Sequence, residues 1–421
     1  MTGSSSPNPT LLYIALSWIV FPAAFLYTIV IAIKQKQKQY FLQRLGIYKS
    51  TSKTTQPIWC HCASVGEIKT ALPLLNNLLA GGEHLVISTN TTTGLKILQQ
   101  ANLNNTSAVF LPLDYACLAK KFINVFSPKL CLVLETELWP NILLAAIKKK
   151  IPIVIINGRI SNKTLNAPTF LKQNYMLILK NTLHIFASSK SNLERFIELG
   201  AHKSNISVLD NLKFSNIETI DQCNSLNPLK QKYVLCASTH ADEELQILRE
   251  WKSHTWNNIQ LAIAIRHPQR KIEVCKVLKD LNLDYVLHSE GMASTDAIYI
   301  IDTIGELRPF IEHADLVFMG GSLVPNIGGH NVLEAAQFGK CILTGPHYEN
   351  FAEIVEEMHQ LNSIIIVKHA EDLVNQISLL IDNEERSKQL GNNAKNFVVE
   401  KSNVLNDYTD KIFNLIHSHS S

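Results

Sequence analysis

From residue 57 onward, short apolar runs rich in β-branched residues alternate with runs of helical periodicity. This alternation is typical of parallel sheets whose two faces are covered by helices. The short runs are continuously apolar, as expected of strands buried on both faces. The predicted strands cover residues 58–62, 85–89, 108–111, 130–134, 153–156, 184–187, 206–209, 233–237, 260–265, 284–287, 297–301, 316–319, 341–344 and 363–367. Helical patterns between them include residues 68–79, 193–199, 243–251, 272–281 and 332–338.

About fourteen strands are too many for one compact open sheet. The stretch 215–231 is polar and has no strong period, which favours a linker at that point. The fold class is therefore predicted to be α/β, with two Rossmann-like domains that face a cleft. We expect the first domain to cover residues 34–220 and the second to cover residues 221–421.

Residues 11–33 contain no charged side chain. As a helix this run is about 35 Å long, enough to cross a hydrocarbon core of about 30 Å. Lys34, Lys36, Lys38 and Arg44 follow it, whereas residues 1–10 carry no charged side chain. The positive-inside rule then predicts a single-pass anchor, with residues 1–10 outside and the remainder in the cytoplasm. A cleaved signal peptide and a buried helical hairpin are the alternatives.

Charge and cysteine content exclude several classes of protein. The net charge is only +3, from 39 basic and 36 acidic residues, which is too balanced for a dedicated nucleic-acid binder. Eight cysteines in 421 residues make no disulfide framework. Cys60 and Cys62 fall on the same face of a predicted strand, so we interpret them as core residues of a reduced protein.

In the first half, polar residues follow two predicted strands. Ser64 and Glu67 have the spacing of a helix capping box, so Glu67 is interpreted either as a cap or as a catalytic carboxylate. Glu135 and Glu137 follow the strand at 130–134. They are interpreted either as site residues, since buried carboxylates need partners, or as a solvated helix start.

In the second half, Arg266 follows a strand and has the forked geometry that suits a phosphate, although a local surface salt bridge is the alternative. Glycine-bearing loops at 302–307, 320–322, 328–334 and 345–351 can expose backbone N–H groups to an anion. Asn331 and Glu334 also have the spacing of a helix cap. Together these loops predict a nucleotide-type ligand in the second domain.

Several common cofactor signatures are absent from the sequence. It has no P-loop, no G-x-G-x-x-G after a strand, no Asp-x-Asp and no structural-zinc spacing. We therefore expect no cofactor and no bound metal, with phosphate neutralised by cationic side chains and backbone dipoles.

Taken together, the loops closely resemble the 3-deoxy-D-manno-octulosonate (Kdo) transferases of lipopolysaccharide synthesis, glycosyltransferase family 30. The shared stretches are H-C-A-S-V-G-E at 61–67, S-T-N-T-T-T-G at 88–94, L-E-T-E-L-W-P-N at 134–141, I-N-G-R-I-S at 156–161, N-L-K-F at 211–214, A-S-T-H-x-x-E-E at 237–244, R-H-P-x-R at 266–270, D-T-x-G-E-L at 302–307, G-G-S-L at 320–323, G-G-H-N-x-L-E at 328–334 and G-P-H-x-x-N-F at 345–351.

The resemblance implies an inner-membrane, inverting GT-B glycosyltransferase that transfers Kdo from CMP-Kdo to the lipid A precursor, lipid IVA. It implies that residues 34–220 bind the acceptor and residues 221–421 bind CMP-Kdo. By motif, Glu67 is the implied general base, and Glu137 and Lys213 are implied transition-state stabilisers. The implied CMP-binding set comprises Arg266, His267, Gly305, Glu306, Leu307, Asn331, Val332, Leu333 and Glu334.

Two positions depart from the family pattern, since Ile265 and Val332 stand where the family usually has proline. Neither position supplies a polar side chain, so we expect activity to be retained. The anionic membrane surface is an expected partner of the basic residues at 34, 36, 38, 44 and 69, although topology and solubility alone also explain them. A GT-B enzyme with another nucleotide-sugar donor and a non-catalytic nucleotide-sugar binding protein are the rival functions.

Overall fold

The computed structural model describes residues 8–49, 56–216, 226–291 and 297–419. The chain divides into two compact units: Met1–Asn216 with Asn403–Ser421, and Ile217–Ser402. The predicted linker at 215–231 contains this division, and its residues 217–225 lie outside the described part of the chain.

Unit 1 is built on a seven-stranded, all-parallel sheet with strand order β3-β2-β1-β4-β5-β6-β7. Its strands are β1 (Ile58–His61), β2 (Leu85–Thr89), β3 (Thr106–Phe110), β4 (Leu130–Leu134), β5 (Ile153–Gly158), β6 (His184–Ala187) and β7 (Ile206–Val208). Its first helices are α1 (Leu11–Lys34), α2 (Lys38–Arg44), α3 (Val65–Ala80), α4 (Thr92–Gln100), α5 (Ala116–Phe126), α6 (Pro140–Lys148), α7 (Asn162–Leu165), α8 (Thr169–Lys180) and α9 (Lys190–Glu198).

Unit 2 repeats this design with strand order β10-β11-β9-β8-β12-β13-β14, again all parallel. Its strands are β8 (Lys232–Thr239), β9 (Ile259–Ile265), β10 (Tyr285–Leu287), β11 (Ile298–Ile301), β12 (Leu316–Met319), β13 (Cys341–Thr344) and β14 (Ile365–Ile366). Its helices are α10 (Glu243–Ser253), α11 (Lys271–Asp280), α12 (Leu307–His313), α13 (Leu333–Ala336), α14 (Ala352–Gln360), α15 (Ala370–Asp382) and α16 (Glu384–Glu400). Every sequence-predicted strand is present. The central strands β1, β2, β4 and β5 are buried along their whole length, which explains their largely apolar runs.

The last helix, α17 (Val404–His419), belongs to unit 1 and not to the second domain in which the sequence analysis placed it. One face of α17 is apolar and buried, because a buried apolar residue recurs every four positions: Val404, Tyr408, Ile412 and Ile416. The Tyr408 hydroxyl accepts a hydrogen bond from the Asn157 N–H at 3.2 Å. The sequence shows the periodicity of this apolar face, but it does not show which surface of the protein the face packs against.

The predicted anchor is a helix over Leu11–Lys34. Its mean hydropathy of 2.2 and its length make it a candidate membrane span, and only 6% of its most apolar window is buried. The Thr10 side chain caps its first turn by accepting from the Tyr13 N–H. One face of α1 nevertheless packs on unit 1, where Phe21 and Ala24 contact a buried cluster around Tyr115.

We predict that Tyr408→Ala will destabilise unit 1 by about 3–5 kcal/mol, the usual cost of removing a large buried aromatic side chain. Tyr408→Phe should cost about 1–3 kcal/mol, because it leaves the buried Asn157 N–H without its acceptor. Hydrogen exchange should accelerate in β5 and α3 and remain unchanged in unit 2. Faster exchange confined to unit 2 would contradict the assignment of α17 to unit 1.

Candidate active site

In unit 1, β1 lies between β2 and β4, so the chain leaves β1 next to the point where strand order reverses. Ligands bind at such switch points, outside the carboxyl ends of the strands. The loop after β1 carries Glu67, and the loop after β4 carries Glu135 and Glu137. The structure therefore brings together two of the residues that the sequence singled out, Glu67 and Glu137, with Glu135 beside them.

Glu67 lies in the first turn of α3, where its carboxylate both hydrogen-bonds at the helix start and lies near other charged groups. Its N–H donates to the Ser64 hydroxyl at 3.2 Å, and its Oε2 accepts from the Ala63 N–H at 2.9 Å. The capping interpretation is thus partly correct, although the carboxylate reaches Ala63 instead of the Ser64 N–H. Burial and, after it, the charges of Glu135 and Glu137 raise the pKa of Glu67 to about 7, although the hydrogen bonds from Ala63 and Ser64 oppose this change.

Glu137 has the opposite electrostatic environment. Its Oε2 accepts from the Trp139 indole N–H at 2.6 Å and from the Asn90 amide at 3.5 Å. The His61 Nε2 lies 3.5 Å from the same oxygen. Burial by itself would raise the pKa of Glu137, but His61 and Trp139 outweigh it, so the pKa is lower than usual and the group is ionised at neutral pH.

His61 is held by residues that the sequence analysis did not single out. Its Nδ1 lies 2.9 Å from the Ser88 hydroxyl, which also accepts from the Trp59 indole N–H at 2.8 Å. All three side chains come from the paired strands β1 and β2. The signal in the sequence was the polar residue His61 at the end of an otherwise apolar strand.

Glu135 adopts φ 53°, in the left-handed region that few non-glycine residues occupy. Its N–H donates to the Ile156 carbonyl at 3.0 Å, and its carboxylate lies 3.9 Å from the Arg159 guanidinium. Strained backbone of this kind recurs at functional sites. Here it fixes the second carboxylate whose charge raises the pKa of Glu67.

Lys213 lies in a short 3-10 helix, Leu212–Asn216. The Lys213 N–H donates to the Asn211 side chain at 3.0 Å, and the Leu212 N–H donates to the Asn157 side chain at 3.0 Å. The Ser215 hydroxyl reaches the Thr70 carbonyl of α3 at 3.5 Å. The structure therefore brings the segment that carries Lys213 against the helix that carries Glu67.

An apolar cavity of about 400 Å³ lies between α1 and the body of unit 1. Trp139, which contacts Glu137, forms part of its wall, and Arg44 and Asn90 also line it. The Arg44 guanidinium donates to the Leu111 carbonyl at 2.8 Å and to Asn90 at 3.3 Å, and burial lowers its pKa. The apolar lining comprises Leu16, Val20, Ala24, Leu111, Pro112, Leu113, Phe170 and Leu171.

In unit 2, the loops with glycines and basic residues follow the neighbouring strands β11, β9, β8, β12 and β13. Arg266 and His267, directly after β9, are exposed. Arg270 makes the local salt bridge of this loop, with Glu273 at 3.1 Å, and its guanidinium nitrogens also lie 2.9 and 3.3 Å from the two Glu244 oxygens. The arrangement leaves the Arg266 side chain accessible to a ligand at the edge of the sheet.

Glu243 is a fully buried carboxylate whose role the sequence analysis missed. It accepts from the N–H groups of Gly321, Ser322 and Leu323 at 2.7–3.1 Å and from the His240 N–H at 3.1 Å. Burial raises its pKa, although these hydrogen bonds oppose the change. Glu243 therefore ties the loop after β12 to the start of α10, and its signal was the motif A-S-T-H-x-x-E-E.

His240 and His330 meet at the same edge, with their Nε2 atoms 2.8 Å apart. The His267 ring packs edge-on against His240 at 5.4 Å between ring centres. Burial, together with neighbouring histidine and arginine charges, lowers the pKa of His240 and of His330 to about 4. Both rings are therefore neutral at pH 7 and can act as hydrogen-bonding groups.

The remaining predicted ligand residues lie in two loops. Gly305 has φ 89° and is exposed, Glu306 contacts His288 at 3.1 Å, and Leu307 begins α12.

In the second loop, the Asn331 side chain accepts from the Leu333 N–H at 3.2 Å. The predicted cap at Asn331 is wrong, because α13 begins at Leu333 with Val332 at its N-cap and no side-chain cap hydrogen bond. The Asn331 amide lies 3.5 Å from the exposed Glu334 carboxylate. Val332 and Leu333 are buried, so only their backbone can reach a ligand.

The glycines of this region permit close backbone approaches. Gly329 has φ 74°, and its N–H donates to the Gly321 carbonyl at 2.9 Å. A side chain at Gly345 would collide with the Ser322 carbonyl, because an added Cβ would lie 2.2 Å away from it. Among the described residues, no group of three or more His, Cys, Asp or Glu side chains is placed to hold a metal ion.

The family comparisons agree with this architecture. A family model described as 3-deoxy-D-manno-octulosonic-acid transferase (kdotransferase) matches residues 39–216, and one for glycosyl transferases group 1 matches residues 292–397. A glycosyltransferase structure from Rickettsia africae has a TM-score of 0.60 at 15% identity, covering 86% of this chain and 99% of its own. A structure described as the S. aureus MnaA–UDP co-structure has a TM-score of 0.57 at 14% identity, covering 86% of this chain and 97% of its own. These similarities confirm the predicted fold class, two Rossmann-like domains as in GT-B glycosyltransferases.

Curated relatives extend over nearly the whole chain. The 3-deoxy-D-manno-octulosonic acid transferase of Rickettsia typhi is 33% identical over 381 residues, covering 87% of this chain and 81% of its own. The enzyme of the same name from Haemophilus influenzae is 30% identical over 413 residues, covering 94% and 96%. The chain therefore belongs to the 3-deoxy-D-manno-octulosonic acid (Kdo) transferase family.

Proposed function

We propose that this protein transfers Kdo from CMP-Kdo to a lipid A precursor, lipid IVA, by an inverting reaction in which Glu67 is the general base. The observation that carries the proposal is a partly buried carboxyl group with a pKa of about 7 at the strand switch point of unit 1. A general base is most effective when its pKa lies near the working pH. Family membership supports the Kdo transfer itself.

Glu67 is positioned before any substrate arrives. The bond from the Ala63 N–H to Oε2 orients the carboxyl group, and Oε1 is the oxygen that takes the proton of the acceptor hydroxyl in this proposal. As the hydroxyl oxygen attacks the Kdo anomeric carbon, the bond from that carbon to the CMP phosphate oxygen breaks. The proton ends on Glu67, and CMP leaves with the bonding electron pair.

Glu137 and Lys213 would stabilise charge that develops during this transfer. The interactions of Glu137 with His61 and Trp139 keep it ionised, so its negative charge can stabilise the positive charge that develops at the anomeric carbon. The Lys213 ammonium can offset negative charge on the departing phosphate. Two neighbouring carboxyl groups with pKa values pushed apart are typical of a site that divides roles between them.

The donor would bind to unit 2. The exposed Arg266 can fork onto phosphate oxygens, with His267 beside it. The neutral rings of His240 and His330 add hydrogen-bonding groups at the same edge. Gly305–Leu307 and Asn331–Leu333 would contact the nucleotide through their backbone and the Asn331 amide, and the Glu334 carboxylate would accept from the ribose hydroxyls.

A lipid acceptor is supported by the apolar cavity behind α1. The cavity shares Trp139 with the Glu137 site, so an acyl chain placed there would bring the polar part of the lipid close to the carboxylates. Arg44 lies at the polar side of the cavity and suits an anionic group of the lipid A precursor.

The apolar helix α1 supports a location at the inner membrane, with both units facing the cytoplasm. Lys34, Lys36, Lys38 and the exposed Lys69 would contact the anionic membrane surface. A membrane-bound enzyme meets its lipid acceptor without having to extract it into water.

Glu67→Gln should reduce turnover by at least about 10²-fold, because the amide cannot accept a proton but can still accept from the Ala63 N–H. CMP affinity should remain unchanged. Turnover is measured from the mass spectrum of lipid IVA products with CMP-Kdo. A nearly normal rate in the Gln variant would make Glu67 a helix cap only.

The dependence of kcat/KM on pH should report the protonation of Glu67. A base must be deprotonated to act, so kcat/KM should fall as the pH decreases below about 7. Glu135→Gln removes a charge that raises the pKa of Glu67, so the acidic limb should move to lower pH. Glu83→Gln is the control, since Glu83 pairs with Lys129 at the other end of the sheet. If the acidic limb of the pH profile stays at the same pH in the Glu135 variant, the protonation of Glu67 does not determine that limb.

Glu334→Gln should weaken CMP-Kdo binding by about 1.5–3 kcal/mol, the range for a hydrogen bond to a charged group. Gln can keep the side-chain contact with the Asn331 amide, so the thermal midpoint should change little. Glu371→Gln, in the first turn of α15, is the matched control. Donor Kd is measured by calorimetry, and an unchanged Kd would leave Glu334 as a cap.

A further inference from the structure

The N-terminal end of α1 is bound to the body of unit 1. The Thr10 N–H donates to the Asn174 side chain of α8 at 2.9 Å, and the Asn174 amide donates to the Thr10 hydroxyl at 3.1 Å. One turn later, the Tyr13 hydroxyl donates to the Asp114 carboxylate at 2.7 Å. Asp114 also accepts from the N–H groups of Asn141 and Ile142, so this contact belongs to the folded body of the unit.

The contacts continue along the helix. The Tyr115 hydroxyl donates to the Ser17 carbonyl at 2.8 Å, and the Tyr115 ring packs edge-on against Phe21 at 5.1 Å. Phe25 packs against Phe41 of α2 at 5.8 Å. Thr28 is 1% exposed.

Near the C-terminal end of α1, Ile31 and Ala32 pack on the cluster of Tyr40 and Phe110. One side of α1 is thus attached to unit 1 from its first residue to its last turn.

The opposite side of α1 is apolar and exposed. Leu11 is 84% exposed, Ile19 72%, Leu26 61% and Ile33 71%. An exposed apolar face of this length marks an interaction surface. Trp18 and Tyr27, half exposed or more on the same helix, are residue types that favour the boundary between lipid headgroups and acyl chains.

These contacts are incompatible with a helix that crosses the bilayer. A crossing helix separates its ends by a hydrocarbon core of about 30 Å. Because unit 1 touches both ends, its Asp114 carboxylate and its Asn174 amide would lie inside that core or beyond it. Placing such polar groups in hydrocarbon is costly.

We propose that α1 lies along the surface of one leaflet as an interfacial helix, docked on unit 1 through its Thr10–Tyr13–Ser17–Phe21 side and inserted through its Leu11–Ile19–Leu26–Ile33 side. Helices of this kind bury an apolar face at the boundary of headgroups and acyl chains without spanning the membrane. The partner is a phospholipid leaflet, and Lys34, Lys36 and Lys38 favour an anionic one. Both ends of α1 then lie on the same side of the membrane as the catalytic units. The proposal rests on the membrane location proposed above, and it replaces the single-pass topology.

This orientation has a consequence for the lipid acceptor. Leu16, Val20 and Ala24 of α1 line the apolar cavity that Trp139 also lines. A helix lying in the leaflet places that cavity at the level of the acyl chains. A helix that crossed the bilayer would separate from unit 1 and no longer line the cavity. The docked helix therefore completes the cavity from the membrane side.

Cross-linking in native membranes tests the proposal. Thr10→Cys combined with Asn174→Cys joins two side chains in direct contact, and Leu11→Cys with Asn174→Cys is the matched control on the exposed side. The exposed Cys117 is replaced in both by Cys117→Ser. Oxidation should convert most of the Thr10 pair, but not the Leu11 pair, to the intramolecular disulfide. Absence of the disulfide in the Thr10 pair, or equal oxidation of both pairs, would overturn the proposal.

A second measurement uses the unsubstituted chain, so it does not depend on how the cysteine variants fold. A protease-sensitive tag is placed before Met1, and protease is added to intact spheroplasts or to inverted inner-membrane vesicles. An interfacial helix predicts cleavage only in inverted vesicles, and cleavage in intact spheroplasts overturns the proposal. Transfer of Kdo, measured on the same samples, tests the proposed reaction independently of this topology.

Discussion

The parallel pairing of β1 with β2 on one side and β4 on the other is the constraint on which the candidate active site depends. The carboxyl ends of all strands in a parallel sheet lie at one edge. At the point where strand order reverses, the connections that leave the two adjacent strands run to opposite faces of the sheet. The loops after β1 and β4 are therefore adjacent, although about 70 residues separate them in the sequence. In unit 2, β8 lies between β9 and β12, and the basic and glycine-bearing loops gather at the carboxyl edge of that parallel sheet.

Within this frame, small differences in environment give two similar side chains different properties. Glu67 is partly buried near two other carboxylates and has a pKa of about 7. Glu137 is also partly buried, but His61 and Trp139 stabilise its ionised form. The hydrogen bonds from Trp59 to Ser88 and between Ser88 and His61 make this difference depend on residues of strands β1 and β2. In unit 2, buried Glu243 has a comparable supporting role, because it fixes three successive N–H groups of the loop after β12.

Helix α1 lies between the candidate active site of unit 1 and the proposed membrane contact. Its hydropathy is that of a spanning helix, yet its hydrogen bonds to Asn174, Asp114 and Tyr115 attach it to a folded unit. Length and hydropathy show that an isolated helix could span a membrane. The contacts of α1 with unit 1 determine which of its faces stays exposed. The apolar cavity formed between α1 and unit 1 exists only because the helix is docked.

The sequence by itself determined the α/β class, the positions of the strands and the grouping of polar residues at strand ends. These are local properties, since a strand buried on both faces must be continuously apolar and Ser64 caps a helix through neighbours three residues away. The placement of Glu67 and Glu137 in one site also followed, once the strands were taken to be parallel. Tertiary structure alone decided that α17 returns to unit 1, that Glu243 holds a distant loop, that His61 lies beside Glu137, and that α1 lies along the body of its own unit. Each of these depends on a contact between residues far apart in the chain, and side-chain periodicity shows that a face is apolar without showing which surface will cover it.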